Sequence, residues 1–130
     1  MQEWGSKTLE LVALLHDRLS VTVMLFMAAV GVWGIVAYLR GQSISGSYAG
    51  ALAIGEALVL VQVGAGGAMF ATGARPHASS HYLYGLTAVL VLPFAWSYLR
   101  TRDQRQALLI YSLIALFIFG LAVRGAITGR

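Results

Sequence analysis

Cysteine is missing from all 130 residues, so the chain forms no disulfide, thiolate metal site, covalent c-type haem link or thiol nucleophile. Any metal must be held by imidazole, carboxylate or thioether groups. Charge is nearly as scarce: Asp, Glu, Lys and Arg make up 11% of the sequence, against roughly 25% in an average soluble domain. Hydrophobic residues supply 58% and the mean hydropathy is +0.75, as expected of a protein immersed in lipid. Hydrolytic and phosphate-binding signatures are absent, with no G-x-S-x-G, no Walker glycine loop, no H-E-x-x-H and no paired catalytic carboxylates. No basic stripe is interleaved with stacking aromatics, so the net charge of +4 does not point to nucleic acid. The nine basic residues stand at the ends of apolar runs, where topology and lipid-headgroup signals lie. The opening MQEWGSKTLELVALLHDRLS lacks the basic region, apolar core and small-residue cleavage site of a signal peptide, and reads as mature sequence.

What the chain does have is four apolar runs, predicted as spans over roughly 19–39, 48–72, 81–99 and 107–123. At about 1.5 Å per residue the first reaches ~31 Å, the thickness of a bilayer core. Ahead of it, Leu9, Val12, Leu15, His16 and Leu19 fall at helical spacing, an amphipathic turn or two leading into the span. The second run holds Gly55, Gly64, Gly66 and Gly67, which either let helix backbones approach in lipid or leave clearance for a cofactor. Pro93 is expected to kink the third, and GAITGR follows the fourth as a short tail. Short loops make this an all-α, integral membrane, antiparallel four-helix bundle, one domain over 1–130 with both termini on one side. The loop side carries Arg40, Arg100, Arg102 and Arg105, and the terminal side Lys7, Arg18, Arg75, Arg124 and Arg130. The compact arginine cluster after the third span places the termini on the outer side of a cell membrane crossed several times.

That topology puts all three histidines at one membrane face, because His16 opens the first span while His77 and His81 open the third. If the third helix starts at Pro76, His77 and His81 share a face that Gly85 continues without a side chain, so a flat cofactor can lie against it. Two histidines from facing helices of a bundle suit a haem iron, and neutral imidazole is the ligand required. The competing reading is a copper or zinc cluster built on the i, i+4 pair His77 and His81, with His16 and Asp17 swinging in from the first helix. Arg18, Arg75 and Arg124 fall at the same face, where they either bind haem propionates or snorkel to headgroups. Gly66 and Gly67 lie in the same half of the membrane.

Glu56 is the one acidic residue within an apolar run, a costly placement unless it is paired or faces water. An ion pair with Arg40 or Arg100, or a relay of protons to a quinone, would account for it. Gln62, near mid-span, is expected to hydrogen-bond across helices through its side chain, and Met24, Met27 and Met69 to fill the core.

The runs VALLHDRLSVTVMLFMAAVGVW, LVLVQVGAGGAMFATG and HASSHYLYGLTAVLVLPFAWSYLR together resemble one four-helix half of haem A synthase. In that family a histidine opens one helix, a glutamine-glycine helix follows, and a second histidine opens the next. The resemblance covers nearly the whole chain, 11–124, and implies haem b ligated by His16 and His81, with no counterpart for His77. It departs from the family where a glutamate precedes a ligand histidine by one turn, since Val12 precedes His16 and His77 precedes His81. The family also commonly has two such halves, so a single half implies pairing with a second copy.

The function expected from these readings is electron transfer or haem handling beside a respiratory or photosynthetic complex, with a homo-oligomer or a larger membrane complex around it. A cofactor-free accessory subunit and a half-length oxidase like haem A synthase are the alternatives.

Overall fold

A computed structural model describes residues 2–73 and 80–128. They form four helices in succession: α1 (Gln2–Leu39), α2 (Gly46–Ala71), α3 (Ser80–Leu99) and α4 (Gln104–Thr128). Each is long and apolar enough to cross a membrane.

Helix ends follow local chemistry. Gly41, at φ 79°, closes α1 in a Schellman motif, its N–H donating to the Tyr38 carbonyl and that of Gln42 to the Ala37 carbonyl. Ser45 caps α2 by accepting the Tyr48 N–H at 3.1 Å. Asp103 performs the same task before α4 through the Arg105 N–H.

The helical lead-in expected over 8–19 continues straight into the first span, and α1 reaches back to Gln2 as one helix of 38 residues, about 57 Å long. One expected boundary is corrected: residues 125–128 are not a tail, because α4 runs on to Thr128; a single glycine such as Gly125 costs a helix only about 1 kcal/mol. Pro93 sits inside α3, which continues on both sides of it. Its missing N–H leaves the Val89 carbonyl without the usual helical donor.

The helices form a ring in which each packs against its chain neighbours and α1 closes on α4, the most extensive interface; α2 and α3 share the smallest. Adjacent helices run in opposite senses. His16 meets Gln62 while Val30 meets Tyr48, and Gly31 faces Leu116 while Tyr38 meets Arg105. The centre is filled by Val23, Met27, Val59, Leu92, Ala115 and Ile118. Tyr48 braces the loop-side half, its hydroxyl bonding the Val30 carbonyl at 3.3 Å and Ser112 at 3.1 Å. The outer surface is as apolar as the core: Leu25 is 67% exposed and Phe94 70%. A helix apolar on every face needs a hydrophobic solvent or partner around it.

Candidate functional site

His16 on α1 and His81 on α3 face each other across the ring, with ring centroids 6.2 Å apart and planes inclined by 71°. Each is pinned by a backbone carbonyl from an adjacent helix. His16 Nδ1 lies 3.1 Å from the Gln62 carbonyl oxygen of α2, and His81 Nδ1 lies 3.0 Å from that of Gly125 on α4. A carbonyl only accepts, so both Nδ1 atoms carry a proton, and in a neutral imidazole so held Nε2 is the lone-pair nitrogen. This is the orientation in which ligating histidines are held, with the second nitrogen donating to a carbonyl or carboxylate.

Both rings line a cavity of about 760 Å³ bounded by all four helices, together with Asp17, Gln62, Gly66 and Gly85. That volume lies within the roughly 300–1,000 Å³ of small-molecule and cofactor sites. Two metal–nitrogen bonds of about 2.0–2.1 Å, with roughly 1.1 Å from nitrogen to ring centre at each end, span about 6.3 Å. The observed separation of the ring centroids, 6.2 Å, is close to that span. Among the described residues no group of three or more His, Asp or Glu side chains is placed to hold a metal ion. Two imidazoles are too few to hold a tetrahedral ion by themselves.

The glycines divide by task. A Cβ on Gly66 would stand 3.2 Å from His16 Cε1. Gly66 is four residues beyond Gln62, where a side chain would cover the carbonyl that His16 binds, so its bareness admits the ring. Gly85 lines the cavity, yet a Cβ there would meet only Val63 Cγ2, at 3.7 Å. Gly55 accommodates Met27, whose methyl would lie 2.6 Å from a Cβ. Gly64 and Gly67 face open space.

The remaining expectations fare unevenly. Arg18 and Arg124 are exposed near the histidines and do not line the cavity. Arg75 and His77 lie outside the described residues. Gln62 contributes its carbonyl where its side chain was expected to bond; the side-chain Oε1 is buried with no hydrogen-bond partner among the described residues. Met27 is core, while Met69 lines the cavity. The expected pairing of Glu56 with Arg40 or Arg100 leaves its Oε2 unaccounted for, since that atom is buried with no partner among the described residues. Sequence reasoning missed Gly125, which it assigned to a tail, and the brace from Tyr48 to Ser112. Neither carries a sequence signal, because a backbone carbonyl and a lone serine look alike everywhere. Comparison with family models, curated proteins and solved structures found no match for this chain.

Proposed function

We propose that this chain is an integral membrane protein whose four helices hold one b-type haem between His16 and His81. It serves electron transfer or haem handling beside a respiratory or photosynthetic complex, with its termini on the outer side of a cell membrane. The observation that carries the reading is the facing imidazole pair, 6.2 Å apart, each turned by a carbonyl on a neighbouring helix. Haem supplies one-electron exchange between ferric and ferrous iron when bound. His16 and His81 would hold it, with the Gln62 and Gly125 carbonyls orienting their rings and Val23, Val59 and Ile118 walling the site with apolar surface. Arg18, Arg75 and Arg124 are the propionate partners, which requires Arg18 and Arg124 to reach back over the rim. Val12 stands where an oxidase like haem A synthase has a carboxylate, so the site suits redox transfer better than that oxidation. Protein purified from cells supplied with haem should show a Soret band that shifts on reduction. His16→Ala and His81→Ala should abolish it, while His77→Ala leaves it intact. A colourless preparation, or a spectrum indifferent to loss of both ligands, sinks the proposal.

A cofactor-free accessory subunit is favoured by a different feature. Gly50, Ala53, Ala57, Gly64, Ala68 and Ala71 line an exposed strip of α2 at helical spacing, suited to close packing with a second copy or a larger membrane complex. On that reading the histidines are simply pins between helices, and the purified complex would be stoichiometric and free of haem.

A further inference from the structure

A second cavity, of about 490 Å³, opens nearer the loop end, lined by Leu52 and Glu56 of α2, Leu92, Trp96 and Arg100 around α3, and Tyr111 of α4. Its walls are mostly apolar and aromatic, with Glu56, Arg100 and Gln104 as the polar and charged side chains among them. Glu56 brings a carboxyl group into them, and its Oε2 is buried with no hydrogen-bond partner among the described residues. Such an atom in a membrane interior is costly unless it finds a partner. Lipid acyl chains would fill the volume but leave the oxygen unpaired. The occupant that answers every wall is a flat, lipid-soluble ring carrying hydroxyl or carbonyl oxygens. Trp96 stands 59% exposed at the lipid-facing mouth, with the Arg100 guanidinium 5.2 Å from its ring centroid. An aromatic platform and a cation therefore guard the entrance through which a ring would slide from the bilayer.

We propose that this cavity binds the headgroup of a quinone or quinol, with the Glu56 carboxylic acid donating to a ring carbonyl of the quinone, or its carboxylate accepting from a ring hydroxyl of the quinol. The two cavities are close. Glu56 and Val59 on α2, and Leu92 and Val89 on α3, line one cavity and the other a single helical turn apart, about 4.5 Å of rise. The binding itself stands on this cavity alone; its purpose, pairing a two-electron carrier with the haem, rests on the haem reading above.

The test is titration of a decyl-substituted benzoquinone into protein in phosphatidylcholine vesicles, following Trp96 fluorescence in a background with Trp4→Phe and Trp33→Phe. The quinone should quench Trp96 saturably. Glu56→Leu should weaken binding about tenfold, the loss of one buried hydrogen bond, and Glu56→Gln should recover most of it. Ala53→Phe, which puts a bulky ring into the cavity lining, should abolish saturable quenching. The same saturable quenching is expected in colourless His16→Ala/His81→Ala protein, so failure of the haem site and failure of this one are read separately. Quenching that rises linearly, or an affinity that neither Glu56→Leu nor Ala53→Phe changes, overturns the proposal.

Discussion

Gly66 is the residue on which the imidazole geometry turns. The Gln62 carbonyl already belongs to the α2 backbone ladder, and His16 reaches it because position 66 has no side chain in the way. Gly66→Ala should push the ring by a few tenths of an ångström, broaden the Soret band and lower haem content; Gly66→Leu should leave almost no haem. Gly85→Ala is the matched control, since its new methyl meets Val63 at an ordinary contact distance. Equal loss of haem in Gly66→Ala and Gly85→Ala would mean that the cavity as a whole, and not the seat of His16, is what glycine protects.

Among the elements, α1 and α4 carry the rigid half of the ring, and small residues decide how closely they approach. Gly34 lies where a Cβ would collide with Ser112 Oγ and stand 2.5 Å from Tyr48 Oη. Ser112 is fully buried and donates to the Leu108 carbonyl at 2.6 Å, so it has no space to withdraw. Gly34→Ala is expected to destabilise the fold by about 1–3 kcal/mol, the usual cost of overpacking a filled core, measured by unfolding in mixed micelles. Gly50→Ala, on the open face of α2, should be close to neutral in the same assay. The interface of α2 with α3 behaves differently: it is the least extensive, and residues of both helices line both cavities.

At the scale of the whole molecule the absence of cysteine becomes a tool, since any cysteine introduced is the only one present. Ser6, Ser43 and Ile127 are all exposed, the first and last near the chain ends and Ser43 in the turn between α1 and α2. With four crossings and outer termini, Ser6→Cys and Ile127→Cys should react with an impermeant maleimide on intact cells, and Ser43→Cys only after permeabilisation. Labelling of all three from one side would rule out spanning; the reverse pattern would keep the spans and invert the orientation.

The order of apolar residues along the chain determined that it has four apolar helices, because hydropathy depends only on which residues follow one another over a span's length. The Tyr38-Leu39-Arg40 end of α1 and the Leu99 end of α3 were legible for the same reason. The continuation of α1 back to Gln2 and of α4 to Thr128 was not, since hydropathy falls at polar residues and glycine whether or not the backbone there stays helical. His16 and His81 stood out as rare polar residues at the same face, but their separation and tautomers depend on carbonyls from α2 and α4. Those contacts join residues 46 and 44 positions apart along the chain. Every residue has a carbonyl, so which one meets an imidazole is decided only when helices pack in a particular register and a glycine exposes the oxygen.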